Sequence, residues 1–324
     1  MDVKVIYLTP QSAWRNELRS DTLWGLICWG VCYIWGESKL LNMISEFQNG
    51  SPPFLVSSAF PYREEEGHKV LYLPKPYFRP FKLSDEEWTP ERMKAYKAFK
   101  KVTYVPLSIF TQMIQGKLSE EEYFLKHESS WKRHKEILPQ KRTYVHNSVD
   151  RLGGETDIYN VSLWGSAPLN GLYFFLRILN PEYENILRSL WPFFEHVGLG
   201  GDSSIGRGFF RISEEEEAEA FPVPDKAKRF VTLSLYSPTP DEIKVFSQSK
   251  DETWYQLEIR KGRVGGKLYV TSHILKQSVT MFREGSSFPA MDKSHYGCLQ
   301  LVKNVETVPH KVYQYSYAFP VTFT

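Results

Sequence analysis

The segment Gly198-Leu-Gly-Gly-Asp-Ser-Ser-Ile-Gly-Arg-Gly208 places five glycines in 11 residues. No regular element runs comfortably through such a stretch, because each glycine gives up more backbone freedom than any other residue and packs no side chain in return. The chain must turn here, and what comes before and after must be separate elements. Glycines also admit positive φ and let a ligand approach bare main chain, so successive N–H groups can converge on phosphate oxygens. Arg207 can add a bidentate contact. The Lys-Ser/Thr pair of a P-loop is absent after the last glycine, and a helix rather than a strand precedes the first, so neither nucleotide fingerprint applies. The competing reading is a flexible surface connection.

The flanking sequence alternates strand and helix. Residues 3–8 are β-branched and aromatic, a strand that Pro10 should end. Ser20 is placed to cap a helix whose Leu23, Leu26, Ile27, Val31 and Ile34 share one face. Its apolar stretch from Thr22 to Trp35 covers 14 residues, short of the roughly 20 that cross a bilayer. Residues 54–59 and 69–73 predict a hairpin around the polar tip 64–68. From 84 to 140, Lys94, Lys97, Lys100 and Lys101 interleave with Tyr96, Phe99 and Tyr104, which predicts a helical insertion. A strand over 171–179 should lead to Asn180 as cap and Pro181 at the first helical position. Pro192 should kink or end that second helix, and a strand should resume at 209–212. The acidic stretch 214–217, with Glu219, Pro222 and Pro224, reads as a solvated linker and domain boundary. Beyond it, 230–236, 255–260, 268–272, 298–302 and 313–323 are strand-like. The expectation is an α+β protein with domains at 1–213 and 228–324, the first carrying the insertion 84–140 and a hairpin at 141–166.

Charge narrows the partners. With 40 basic and 38 acidic side chains the formal charge is only +2, so no global field draws the chain to nucleic acid and any such site must be a local concentration. Three cysteines cannot build a disulfide framework, and no secretory leader opens the chain, which points to the cytoplasm. Cys28 and Cys32 lie in an apolar helix, where a thiol behaves as a small hydrophobe. Although His295 and Cys298 could be added to make a zinc set, no metal and no cofactor is expected. Asp21, in a helix's first turn, is explained by the macrodipole and capping rather than by catalysis.

Two further segments suit a polyanion. In 141–151, returning through 158–164, Arg142, His146, Asn147 and Arg151 supply donors. Tyr144 and Tyr159 supply rings on which bases can stack, at about 1–3 kcal/mol per base. Lys276 and Arg283 flank a Gly285-Ser286-Ser287 turn that fits an RNA backbone, and fits a plain turn equally well.

Taken in order, Ser20-Asp-Thr-Leu23, His146-Asn-Ser-Val-Asp-Arg151, the glycine-rich segment and Met281-Phe-Arg-Glu-Gly-Ser-Ser-Phe288 resemble the RAMP superfamily of CRISPR proteins. Spacing over nearly the whole chain is most similar to the fourth-subunit family of type III-A Csm effector complexes. The resemblance implies two ferredoxin-like (RRM-like) domains with a thumb-like β-hairpin, capping the 5′ tag of a crRNA. It implies contact with the polymerase-like large subunit and the backbone subunit, with target RNA passing near the tag. Carried over by motif, Gly200, Gly201, Ser203, Ser204, Gly206, Arg207 and Gly208 would cradle the tag. His146 to Arg151, with Asn147 between them, would lie on the thumb-like hairpin at the junction of tag and guide, and Gly285 to Ser287, with Ser286 between them, would complete the cleft; Arg19, Ser20, Arg142, Lys276 and Arg283 are further expected RNA-binding residues. The insertion departs from the superfamily pattern. Relatives of the superfamily cut precursor RNA without metal, using histidine, and His146 and His196 fall near the expected RNA path. No His pair or His-Tyr-Lys set has a catalytic spacing, so a non-catalytic RNA-binding subunit is expected and a metal-independent endoribonuclease is the alternative.

Overall fold

The computed structural model describes residues 3–80, 89–135, 139–151, 153–165, 170–216, 221, 227–264, 275–303 and 311–324. β1 (Val3–Pro10) is an interior strand, antiparallel to β8 (Gly171–Ile178) on one side and β9 (Phe210–Glu216) on the other. Its run of buried residues from Lys4 to Leu8 follows from that position. Pro10 does not cut the strand short but ends it, paired with Phe210, where a missing N–H costs little. The sheet continues through β2 (Phe54–Val56), β3 (Phe60–Glu65), β4 (His68–Pro74) and β5 (Tyr104–Pro106), in the order β5-β4-β3-β8-β1-β9 with β2 also on β8.

The strand expected over 54–59 is divided. β2 pairs with β8, the chain crosses at the buried Ser57 and Ser58, and the hairpin is β3 with β4. Its tip narrows to Glu66 and Gly67, both at positive φ (51° and 80°), the backbone that a two-residue type I′ turn requires. The insertion forms α3 (Pro90–Phe99), α4 (Leu107–Ile114), α5 (Glu120–Lys126) and α6 (Glu128–Lys135), with β5 added to the sheet edge. Its residues 81–88 and 136–138 lie outside the described residues. Thr89 caps α3, and a Ser119–Glu122 capping box starts α5.

α1 (Ser20–Trp35) buries Leu23, Ile27 and Val31 against the sheet. It is followed by α2 (Glu37–Gln48). Ser20 is not its cap. It is the first helical residue, and its Oγ accepts from the Leu235 N–H at 3.0 Å while its own N–H donates to Ser58 Oγ at 2.9 Å. After β8, Asn180 caps a short 3-10 turn beginning at Pro181, as the sequence predicts. The helix breaks at Ser189 between α7 (Glu184–Arg188) and α8 (Leu190–Val197). Pro192 therefore falls in the first turn of α8, where it disrupts nothing.

Residues 214–216 are strand rather than linker, since β9 stays paired with β1 as far as Glu216. Glu214 accepts from Lys4 Nζ (3.0 Å), Arg188 Nη2 (3.1 Å) and Trp191 Nε1 (2.7 Å). Burial alone would raise its pKa, but these bonds hold it below the ordinary carboxylate value.

In the C-terminal half, β10 (Arg229–Thr232) lies between β13 (Ser287–Pro289) and β16 (Pro320–Phe323). α9 (Pro240–Gln248) packs beside them, and β11 (Leu257–Arg260) with β12 (Val279–Phe282) and β14 (Gly297–Lys303) with β15 (Val312–Tyr317) make two ribbons. The strand expected at 230–236 stops at Thr232, that expected at 313–323 is two strands, and 268–272 falls outside the described residues.

One core serves both halves. Phe47, at 0% exposure, meets Trp24, Phe54, Tyr315 and Tyr317, and Phe175 stacks on Phe319 with centroids 5.9 Å apart. Phe47→Ala is expected to cost about 3–5 kcal/mol, the usual range for emptying a buried ring site. Denaturant unfolding would measure it, and a loss under about 1 kcal/mol would mean that the halves do not share this core.

Candidate nucleic-acid interface

The glycine-rich loop is closed at its base and open at its crown. The Leu199 N–H donates to Gly208 O at 2.7 Å, and the Gly208 N–H to Ala13 O at 2.9 Å. Gly208 has φ +72°, and a Cβ there would lie 2.2 Å from Leu199 O, so no other residue fits this closure. Asp202 holds a left-handed conformation (φ 67°), tied by both carboxylate oxygens to Arg15 Nη1 at 2.7 Å. The Gly201 N–H donates to Asn16 Oδ1 at 2.9 Å. The segment 11–16 thus carries the loop. It also carries the hairpin of β6 (Gln140–Val149) and β7 (Thr156–Gly165), because Trp14 and Trp164 exchange backbone hydrogen bonds of 3.1 and 2.7 Å. Two segments far apart in sequence are brought together by a strip that neither motif contains.

Beside the crown lies a trough of about 720 Å³. Gly200, Gly201, Arg15 and Asn16 form one wall; Thr22, Gly25, Leu26 and Trp29 of α1 form the second; Arg260 to Val264 with Lys276 form the third, over Gln314. Some of its cations are already matched. Arg260 is held to Asp21 by two 3.0 Å bonds, and Arg15 to Asp202. Lys276 Nζ donates to Gln314 Oε1 at 3.2 Å, and Gln314 in turn donates to Asp21. Lys261 and Arg263 are exposed, and no ion pair joins them to a carboxylate among the described residues. Here is the local basic concentration that a nearly neutral chain needs in order to hold a polyanion. Of its cations the sequence singles out only Lys276; Arg15, Arg260, Lys261 and Arg263 were missed, although Arg260-Lys-Gly-Arg263 is a visible basic turn at the end of a predicted strand.

The trough's third wall is locked to its second. Arg19 is 8% exposed and donates from Nε to Glu284 (2.9 Å) and from Nη1 to both oxygens of Glu258 (2.7 Å each), while Glu284 also accepts from Ser58. Glu258 and Arg260 share one face of β11, so Arg19 and Asp21 at the start of α1 grip alternate residues of that strand. Four residues expected at the RNA surface are therefore inside the protein. Arg19 is committed to carboxylates, and Ser20 to the hydrogen bonds described above. Gly285, at φ +90°, would set a Cβ 2.9 Å from Lys75 O, and Ser286 is buried with its Oγ on Arg283 O at 2.6 Å. Arg283 is half-buried, 3.8 Å from Glu258.

The remaining expected residues lie elsewhere on the loop and hairpin framework. Ser203 and Ser204 begin a 3-10 turn on the loop crown, followed by Gly206 and the half-buried Arg207. On the hairpin, Arg142, Tyr144 and His146 occupy one face and Asn147 the other, with Arg151 in the tip. The His146 ring stacks on Tyr159 at 5.6 Å and 25°. No group of three His, Cys, Asp or Glu among the described residues is arranged to hold a metal ion, and no described helix is long and apolar enough to cross a membrane.

Two outcomes test this geometry. Glu284→Ala removes one of the two carboxylates that hold the buried Arg19 and is expected to cost about 1–3 kcal/mol in denaturant unfolding; a neutral effect would remove the clamp. Burial lowers the pKa of Lys276, against the opposing pull of Asp21 and Cys28, so its charge is lost at a lower pH than the ordinary 10.5. Affinity for a polyanion should therefore fall as pH rises toward the ordinary lysine range, earlier than an unperturbed lysine would allow, and Lys276→Arg, which stays charged, should flatten that fall. Identical profiles would rule out a role for the Lys276 charge.

The chain is similar to several known proteins. Residues 225–323 match the family described as the CRISPR Csm4 C-terminal domain. The CRISPR system Cms protein Csm4 of Thermococcus onnurineus is 27% identical over 244 residues, 72% of this chain and 74% of that protein. A chain from a crystal structure of a Csm1–Csm4 cassette in complex with cA4 superposes with a TM-score of 0.62 at 20% identity, covering 100% of this chain and 98% of that one. A chain from a Csm3–Csm4 subcomplex of the type III-A CRISPR-Cas interference complex gives 0.62 at 17% identity, covering 100% of both.

Proposed function

We propose that this chain is a type III CRISPR protein of the Csm4 kind, a reading supported by the matches of its residues 225–323 and of its longer aligned stretch, and that it is a non-catalytic, cytoplasmic subunit holding the 5′ tag of a crRNA in the trough between the glycine-rich loop and α1. The observation that carries the proposal is the open wall of Lys261, Arg263 and Lys276 facing the bare main chain of Gly200 and Gly201. Cations on one side of the trough and main chain without side chains on the other suit the close approach of a phosphate backbone, and the hairpin, anchored beside the loop through Trp14, suits the RNA leaving it. We further assign it the role of bridging the polymerase-like large subunit and the backbone subunit, with target RNA near the tag. The solved Csm1–Csm4 and Csm3–Csm4 assemblies support that pairing by likeness of fold.

The fold supports the same reading. The order β9-β1-β8-β3, with α1 after β1 and α7–α8 between β8 and β9, is what a ferredoxin-like first domain would show. The C-terminal half supports it in part, with α9 after β10 and β13-β10-β16 side by side, but the β14–β15 ribbon stands where a second helix would come. Cleavage is disfavoured because the described lining of the trough includes no histidine, the residue that would move protons.

Replacing Lys261 and Arg263 together by Gln is expected to weaken binding of CRISPR repeat RNA and to lower the salt slope of log affinity by about 0.7 for each phosphate no longer neutralised. Fluorescence anisotropy over a salt series measures both. An unchanged slope and affinity would remove the trough as the RNA site, and a defined cut in repeat RNA by the pure chain would replace the proposal with the endoribonuclease.

A further inference from the structure

Along the face of α1 that lines the trough, Thr22, Leu26, Trp29 and Tyr33 follow one another at helical spacing. The first three border the cavity. Trp29 then stacks on Tyr33, with centroids 5.8 Å apart and planes 30° from parallel. Tyr33 leans in turn on Phe193 of α8 at 6.0 Å, yet keeps 60% of its surface exposed. Three rings form a ladder that begins in the trough wall and runs outward over the helix. Beside its first rung, Gly25 keeps the space clear, since a Cβ there would meet no neighbouring element within 4 Å.

Folding alone does not account for this ladder. A large ring left in water forgoes the stabilisation that burial would give it, and the ladder starts at a trough whose cations already match a polyanion. A site for single-stranded nucleic acid needs two components, charges that track the backbone and π-faces that receive the bases. The trough supplies the first, and the ladder begins where it ends.

We propose that Trp29 and Tyr33 form a base-stacking platform at the edge of the trough, receiving bases of the RNA strand whose phosphates lie against Gly200 and Gly201. The inference rests on the RNA-binding reading above and adds to it the part of the ligand that charge does not hold. Because every base has a π-face, the platform grips RNA without selecting its sequence. Phe193 braces Tyr33 from behind, so the rings are set before RNA arrives and little ordering is required on binding.

The test uses the full chain and a fluorescently labelled CRISPR repeat RNA, intact or carrying single abasic positions. Trp29→Ala and Tyr33→Ala are each expected to weaken binding of intact RNA by about 5- to 150-fold, the effect of removing one base stack. Trp29→Phe and Tyr33→Phe, which keep a ring, should stay near wild type. One abasic position should weaken the wild type while adding nothing to the Ala variants, and the salt slope should not change. Thermal melting checks that Tyr33→Ala, at an exposed position, remains folded. Wild-type affinity in both Ala variants, alongside impairment in the Lys261/Arg263 double variant, would overturn the platform and leave the RNA-binding reading standing. Wild-type affinity in all of them would overturn both. Loss of a co-purifying protein subunit from Tyr33→Ala at unchanged RNA affinity would assign the ladder to a protein interface and overturn the platform.

Discussion

The architecture depends on how a single buried guanidinium is satisfied. Removing a charge from water costs several kcal/mol unless partners replace its hydration, and Arg19 has two carboxylates to do so, Glu258 on β11 and Glu284 in the loop before β13. Both are far away along the chain, at separations of 239 and 265 residues. The start of α1 and the C-terminal half are therefore fixed to each other in one relative position, since slippage would strand three charges at once. The shared aromatic core around Phe47 adds strength, but rings tolerate small displacements better than a bidentate ion pair does. The trough inherits its shape from this constraint, because the strand that Arg19 grips is the strand that delivers Arg260, Lys261 and Arg263.

Within the trough, matched and unmatched cations divide the work. Arg260 and Arg15 answer Asp21 and Asp202, so they shape the walls more than they attract a ligand. Lys261, Arg263 and Lys276 carry the field. A chain with a net charge of +2 has no global field for nucleic acid, so cations that no carboxylate answers, such as Lys261 and Arg263, must supply a local one. Proximity of bare main chain on the opposite wall then favours a ligand thin enough to approach both, and a phosphodiester strand meets that requirement.

Much of the fold could be read from local pattern, and much of the site could not. Elements whose causes lie within a few residues were legible: the apolar face of α1, the Asn180-Pro181 start, the charged insertion and the turn forced by 198–208. Misreadings arose where a distant partner overrode a local signal. Ser20 looks like a cap because serine usually is one, but Leu235 and Ser58 claim its hydrogen bonds. Residues 214–216 look solvated because they are glutamates, but Lys4, Arg188 and Trp191 make the first of them a sheet residue with partners. The Gly285-Ser286 turn has the composition of a ligand loop and the surroundings of a core. For the site, the glycines and Lys276 were visible, while Arg15 and the 260–263 turn gain meaning only once segment 11–16 and β11 are seen to converge.

The same logic separates the two kinds of glycine in the loop. Gly208 is required by the protein itself, since Leu199 O occupies the place of a side chain. Gly200 and Gly201 border the trough as well, where a Cβ would first meet the side chain of Asn16, and Gly200 is in addition held at φ +93°, a backbone that favours glycine. Sequence treats the glycines as one motif, whereas the structure splits them into a hinge that closes the loop and a surface that remains available. A loop whose base is fixed so tightly by Ala13 and Leu199, and whose crown is held by Arg15 and Asn16, keeps its exposed main chain in a set geometry. Preorganisation of that kind lowers the ordering cost of binding, and it explains why a short strip at 11–16, with no motif of its own, is as necessary to the interface as the glycines it supports.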